Sequence, residues 1–332
     1  MVNKMLTVRT YAERWPIAGT FAISRGSKTE AVVVLAELSN GRHIGRGECV
    51  PYGRYGESVE SVTAAIEAAR PALEAGMDRA GLQQMLPPGA ARNALDCAML
   101  DLEAKQAGKP AYALLGLPTP RALTTAYTIS LGTPTDMMVA AEKAATRALL
   151  KVKLGGVDGG DPSRIAAVRR AAPNATLIVD ANEGWQPETL ETNLAACADA
   201  GVELVEQPLP DTRDEALRSH KHLIPICADE SVRARASLLA LEGKYDAVNI
   251  KLDKTGGLTE ALDMAADAER MGFALMAGCM VATSLAMAPA MLLAQRARFV
   301  DLDGPLLLAK DRPDGLRYHG SEVAPPEPVL WG

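Results

Sequence analysis

The sequence predicts an α/β protein: a β/α barrel preceded by a smaller α+β unit. Two observations carry this. From Ala122 onward, short apolar runs recur with helix-like segments between them, giving eight strands and seven crossovers. Before that point the order is segregated, strands first and helices after, as an α+β unit requires. An open doubly wound sheet fits the same alternation. No G-x-G-x-x-G follows a strand, however, so a dinucleotide fold has no local support.

Within the first unit, Ala31–Leu38 is rich in β-branched residues, Asn40-Gly41 is a hairpin signal and His43–Cys49 is the partner strand. Phe21–Ser27 has loop composition around a lone arginine, Arg25, and Pro51–Gly56 is a second loop. Ser58 caps a helical run through Val62, Ala65, Ile66 and Ala69 that stops near Pro71 or Gly76. A second amphipathic helix spans Ala90–Ala107, with Gly108 as its stop. The turn-rich Gly116–Pro120 ends the unit, so the division runs 1–120 and 121–309. The barrel strands are read at Leu123–Ile129, Leu149–Leu154, Thr176–Val179, Val202–Val205, Ile224–Cys227, Ala247–Ile250, Phe273–Met276 and Arg298–Val300. Helices are read at Pro134–Arg147, Asp161–Ala172, Pro187–Ala200, Leu258–Met271 and Ser284–Ala297.

Composition bounds the function. The 332 residues are 48% hydrophobic, enough to bury one large core or two ordinary ones. A net charge of −6 argues against a nucleic-acid surface as the main function. No apolar run is long enough for a membrane span. Met1–Thr10 lacks the apolar core of a signal peptide, so a cytoplasmic location is expected. Cys49, Cys97, Cys197, Cys227 and Cys279 are odd in number and contain no C-x-x-C, and read as small buried hydrophobes in a reducing compartment.

Ionisable residues follow the strands in turn: Lys153, Asp180, Glu206, Asp229, Lys251, then Asp301 and Asp303. In a barrel the C-terminal strand ends converge on one face, which carries the chemistry. Asp180, Glu206 and Asp229 are 26 and 23 residues apart, one βα unit per step, and so stand side by side. Oxygen-only ligands suit Mg2+ better than Zn2+. Singly, an aspartate after a strand caps the next helix and a lysine there reaches water. Together the residues favour a Mg2+ barrel enzyme.

Lys151 and Lys153 share one face of their strand. Either both lysines snorkel to water, or crowding and desolvation bring one close to neutrality as a base. Lys153 on the second strand and Lys251 on the sixth lie across the barrel. One could remove an α-proton and the other return a proton on the opposite face. That is racemisation or epimerisation, with the metal stabilising the enediolate.

Lys151-Val152-Lys153, Asp180-Ala181-Asn182, Glu206-Gln207-Pro208, Ala228-Asp229-Glu230-Ser231 and Asn249-Ile250-Lys251 resemble the K-x-K, D-x-N, E-Q-P, A-D-E-S and N-I-K motifs of the enolase superfamily, in its muconate-lactonising subgroup. The superfamily pairs a lysine base with Mg2+ and an enediolate. The resemblance covers nearly the whole chain. It implies a (β/α)7β barrel and an α+β capping domain completed by the C-terminal tail 310–332. It also implies one Mg2+ per subunit on Asp180, Glu206 and Asp229, an acid/base pair of Lys153 and Lys251, and Lys151 as the lysine that tunes Lys153.

Phe299–Pro305 is similar to the D-x-D motif of dipeptide epimerases, whose carboxylates hold the α-ammonium. Asp301 and Asp303 at i and i+2 would indeed make a cation pocket; by themselves they also read as a turn after the last strand. Arg25 matches the loop arginine that pairs with the glutamate side chain in epimerases of L-Ala-D/L-Glu, and Thr128 a substrate-contacting threonine. Without the resemblance, Arg25 is an exposed loop residue and Thr128 an ordinary strand residue. Tyr52 and Tyr55 sit in the second cap loop and read first as its packing, with closure of the site as the alternative. Ala90–Cys97 and Asn249–Ala261 are also similar to the proteobacterial members of that group.

The activity implied is epimerisation at the C-terminal residue of L-Ala-D/L-Glu, a cytoplasmic step in recycling murein peptides. The partner is then a small-molecule dipeptide, and homo-oligomers are common among such barrels. Two rivals stand beside it. N-succinylamino acid racemases and o-succinylbenzoate synthases use the same scaffold, but their substrates offer no ammonium to Asp301 and Asp303. A non-catalytic binding barrel would not need all five core residues.

Overall fold

The structure, a computed structural model, describes residues 6–332; Met1–Met5, on which the leader reading partly rests, lie outside them. Strands β1 (Thr7–Ile23), β2 (Gly26–Ser39) and β3 (Ile44–Cys49) form an antiparallel sheet. The first two run further than their composition suggests. Phe21 pairs with Lys28 and Ile23 with Gly26, so the stretch read as a loop is mostly hairpin, with Ser24-Arg25 at its turn. The hairpin read at Asn40-Gly41 is present: the Asn40 side chain accepts from the Arg42 and His43 amides at 2.9 and 2.8 Å.

Helix α1 (Val59–Glu74) is capped by Ser58, whose hydroxyl accepts from the Ser61 amide at 3.1 Å. It continues through Pro71, so the stop falls at Gly76. Helices α2 (Arg79–Met85), α3 (Ala90–Ala107) and α4 (Ala111–Leu114) follow. The left-handed Gly108 ends α3 as the sequence predicts. β3 lies directly on α3: a Cβ on Gly47 would stand 2.0 Å from the Ala94 carbonyl oxygen, so only glycine permits this approach.

The run read as one strand at Leu123–Ile129 is split. β4 (Leu123–Thr124) leaves the barrel, and β5 (Tyr127–Ile129) opens it. The barrel continues with β6 (Leu149–Lys153), β7 (Thr176–Asp180), β8 (Val202–Glu206), β9 (Ile226–Ala228), β10 (Ala247–Ile250), β11 (Ala274–Ala277) and β12 (Phe299–Val300). Neighbours in sequence are neighbours in the sheet and all pairs are parallel. The Ala126 amide donates to the Val300 carbonyl at 2.8 Å and brings the two ends together. This is the (β/α)7β barrel.

The crossover helix α5 (Pro134–Lys143) begins where read but ends before Arg147, and α6 (Asp161–Ala171) and α7 (Pro187–Asp199) fall where read. The next two crossovers carry 3-10 helices, Asp214–Ser219 and Arg235–Leu241. After β10 come α8 (Leu252–Thr255) and α9 (Leu258–Arg270), then α10 (Ser284–Ala294) and α11 (Gly304–Leu307). In the tail, β13 (Tyr318–His319) and β14 (Glu322–Val323) return to pair on β4. Trp331 then donates to the Cys97 carbonyl of α3 at 3.0 Å.

Period-two alternation sorts the strand residues. One parity, including Leu150, Val152, Val179, Val205 and Ile250, joins the core shared with the helices. The other parity fills the barrel interior. Ala126, Leu149, Ile178, Leu204, Cys227, Ala247, Met276 and Phe299 form an apolar floor, one residue from each strand or its entrance.

Candidate active site

Two residues beyond that floor, the same alternation places Thr128, Lys151, Asp180, Glu206, Asp229, Asn249, Gly278 and Asp301 in one layer. Two further on stand Lys153, Lys251 and Asp303. Seven of these, Thr128, the three lysines, Asp229, Asp301 and Asp303, line a cavity of about 880 Å³ with, from the cap, Phe21, Arg25 and Tyr52.

Asp180, Glu206 and Asp229 are buried, and one carboxylate oxygen of each lies within 4.8 Å of the others. None caps a helix; α7, for example, is entered from Gln186. Three neighbours each hold one oxygen. The Asn182 amide donates to Asp180 Oδ1 at 2.9 Å, Asn249 Nδ2 to Glu206 Oε1 at 2.7 Å and Lys254 Nζ to Asp229 Oδ1 at 2.6 Å. The second oxygens face the lysines. Lys153 donates to Asp180 Oδ2 at 2.6 Å and Lys251 to Asp229 Oδ2 at 2.7 Å. Glu206 Oε2 is 2.6 Å from the Lys151 ammonium, yet the angle makes no hydrogen bond and the buried oxygen has no other partner. An oxygen-only set with such an orphan fits a hard divalent cation of the Mg2+ type.

Lys151 answers to neither reading of the sequence. It is 1% exposed, so it does not snorkel to water. Nor is it near neutrality in the protein alone. Burial by itself would lower its pKa, but Asp301, Glu206 and Asp180 outweigh that and hold it well above the ordinary lysine value. The same balance, with Asp229 and then Glu206 as the raising charges, holds Lys251 up. The expectation of a neutral lysine counted the neighbouring lysine and not the three carboxylates that the barrel closes around it.

Arg25 stands at the hairpin turn, its side chain 30% exposed, and is already engaged. It donates to the Asn182 carbonyl at 2.8 Å, Glu183 at 3.1 Å, Glu230 at 2.5 Å and the Tyr52 hydroxyl at 2.8 Å. Arg54 grips Glu183 from the second cap loop through two bonds of 3.0 Å. Glu183 and Asn182 adopt left-handed backbone at φ 65° and 45°, so strain sits beside Asp180. Tyr52 and Tyr55 pack edge to face at 5.2 Å within the cap loop, as read, and Tyr52 also borders the cavity.

The aspartate pair is more than a turn. Asp303 Oδ2 accepts from the Thr128 amide at 2.6 Å, and burial, then the Asp301 charge, pushes its pKa up to about 7. Asp301 accepts from Lys151 through Oδ2, while its buried Oδ1 has no partner. Together they make an acidic pocket with one open acceptor. All five cysteines are free; four are buried as read, but Cys279 borders the cavity.

Sequence reasoning assigned no role to Asn182, Glu183, Glu230, Asn249 or Lys254. Asn249 was within reach, since it stands two residues beyond the floor residue Ala247. Lys254 lies one helical turn after Lys251, and nothing in its local pattern marks it as buried.

A carboxylate triad flanked by lysines at the C-terminal rim of a parallel barrel defines a class of acid–base enzymes that act on a carboxylate at a divalent metal. Residues 5–116 match the mandelate racemase / muconate lactonizing enzyme N-terminal domain, and residues 136–328 the enolase C-terminal domain-like family. The chain belongs to the mandelate racemase / muconate lactonizing enzyme family of the enolase superfamily. It is 48% identical to the L-Ala-D/L-Glu epimerase of Escherichia coli (strain K12), over 96% of this chain and 99% of that protein. It is 46% identical to an N-acetyl-D-glutamate racemase of Pseudoalteromonas sp., over 91% and 94%. A solved enolase family member from Agrobacterium tumefaciens, with homology to dipeptide epimerases and bound sodium and L-Ala-L-Glu, superposes with a TM-score of 0.96 at 54% identity, covering 98% of this chain and 100% of that one. Dipeptide epimerases complexed with Mg and a dipeptide share the fold at 28, 29 and 30% identity, each with a TM-score of 0.90.

Proposed function

We propose that the protein is a Mg2+-dependent dipeptide epimerase that inverts the C-terminal α-carbon of L-Ala-D/L-Glu through an enediolate. The observation that carries this is the placement of Lys153 and Lys251. Their strands, β6 and β10, are four positions apart in a ring of eight, with the triad strands between them.

A substrate carboxylate directed at the triad puts its α-carbon between the two ammonium groups. One lysine, deprotonated, takes the α-proton; the other, protonated, returns one on the opposite face. Asp180, Glu206 and Asp229 would hold Mg2+, which would supply positive charge to stabilise the enediolate and to favour a neutral lysine base. Lys151 tunes Lys153 and balances the carboxylates between which it lies. Asp301 and Asp303 hold the substrate ammonium, and Thr128 fixes Asp303 through its amide. Arg25 exchanges Glu183 and Glu230 for the side-chain carboxylate of the substrate, which it can hold in bidentate fashion. In this reading 121–309 is the catalytic barrel, 1–120 and 310–332 form its cap, and the reaction is a cytoplasmic step of murein peptide recycling.

The relative that racemises N-acetyl-D-glutamate favours a second reading, an N-acylamino acid racemase on the same scaffold. The pocket of Asp301 and Asp303 weighs against it, because an acylated nitrogen brings no charge to meet two buried carboxylates. The deciding experiment incubates L-Ala-L-Glu with the enzyme and Mg2+ in D2O. Deuterium appears at the glutamate α-carbon together with L-Ala-D-Glu. Absence of exchange there, with exchange of N-acetylglutamate, selects the second reading.

A further inference from the structure

Lys254 is a buried cation that the acid–base scheme leaves unused. It is 1% exposed and stands outside the cavity lining. Its ammonium has three N–H donors and meets three acceptors: Asp229 Oδ1 and the Asp229 carbonyl, both at 2.6 Å, and the Asn249 carbonyl at 3.1 Å. With every donor committed and no place in the cavity lining, it is not poised to move a proton to substrate. What it does is divide Asp229. Oδ1 is held from behind by Lys254, so Oδ2 alone turns inward, where it meets Lys251 at 2.7 Å. The two lysines stand one turn apart around α8, whose N-cap is Lys251 itself. The arrangement therefore links the base to the ligand beside it.

We infer that Lys254 is a positioning residue that presents Asp229 to the metal through one oxygen and keeps that carboxylate from closing on Lys251 with both. This rests on the proposed metal-assisted two-base reaction. Partners that orient metal ligands commonly govern metal affinity as strongly as part of the ligand set does. The alternative role, a mere counter-charge, has the opposite consequence: removing a positive charge beside a cation site tightens cation binding.

Calorimetric titration with Mg2+ separates them. The parent protein must bind Mg2+ first; if it does not, the proposed function fails, and not this role alone. Given that binding, Lys254→Met weakens it about tenfold. Unchanged or tighter binding overturns the inference. A loosened fold could also weaken binding, so exchange of each dipeptide isomer in D2O is read at saturating Mg2+. The isomer whose exchange is lost in Lys251→Ala slows more than the other. Equal slowing of both overturns the positioning role. Should Lys254→Met not fold, Lys254→Gln, uncharged and with fewer donors, is read by the same two signs.

Discussion

Lys151 on β6 and Asp301 just beyond β12 meet at 2.8 Å inside the barrel. The contact spans the join of the ring, since β5 and β12 are the ends of the strand order. It couples the lysine pair to the acidic pocket. Lys151 neutralises one oxygen of Asp301 and leaves the other, buried and unpartnered, for a substrate cation.

Asp301→Asn therefore separates the substrate classes. Loss of a charge-assisted contact to the ammonium costs about 1.5–3 kcal/mol, roughly a 10- to 100-fold rise in KM for L-Ala-L-Glu. Exchange of N-acetylglutamate, which carries no ammonium, is not reduced in proportion. Steady-state kinetics on both compounds checks this; equal losses would show that Asp301 serves the barrel and not the amine.

Arg25 makes the corresponding prediction at the other end of the substrate. Arg25→Met raises KM for L-Ala-L-Glu by roughly 10- to 100-fold. It has much less effect on L-Ala-L-Leu, which has no side-chain carboxylate. Because Arg25 also pairs with buried Glu230, the variant has a lower Tm, so kinetics is measured well below it. An unchanged ratio of kcat/KM for the two dipeptides would remove Arg25 from substrate recognition.

Asp253 predicts a pH dependence of stability. It is buried between barrel and cap, where Oδ1 accepts from the Val50 amide and from Asn93 Nδ2, both at 2.9 Å. Burial pushes its pKa from 3.8 to about 7 despite those donors. The folded state thus binds a proton that the unfolded chain releases near pH 4. The contribution is fully present below about pH 4 and is lost as pH rises through about 7, at up to ~1.4 kcal/mol per pH unit. Asp253→Asn keeps both acceptor contacts and removes the titration. Denaturant melts between pH 5 and 8 have a flatter slope for the variant; identical slopes would contradict the assignment.

The chemistry of this protein is legible in its sequence because strand alternation is simple. Once Lys151, Asp180, Glu206, Asp229 and Asp301 stand on strand ends, a parallel barrel leaves them one direction in which to face. What the sequence did not reveal lies in contacts between distant segments. The cap hairpin extends across Phe21–Ser27 because of its pairing, against a loop-like composition. The β8–β9 and β9–β10 crossovers tighten into 3-10 helices. Lys151 is held charged by carboxylates that arrive from β7, β8 and the far end of the ring. Lys254 is invisible for the same reason: its partners are a carboxylate 25 residues earlier and two carbonyls.

The central claim is that two lysines serve opposite faces of one α-carbon, and Lys153→Ala and Lys251→Ala test it most directly. Each variant is incubated separately with L-Ala-L-Glu and L-Ala-D-Glu in D2O with Mg2+, and α-deuterium is followed by NMR. The account predicts that both variants lose epimerisation, and that each retains exchange of only one isomer, a different one in each case. Epimerisation surviving in either variant, or both variants retaining exchange of the same isomer, would contradict it.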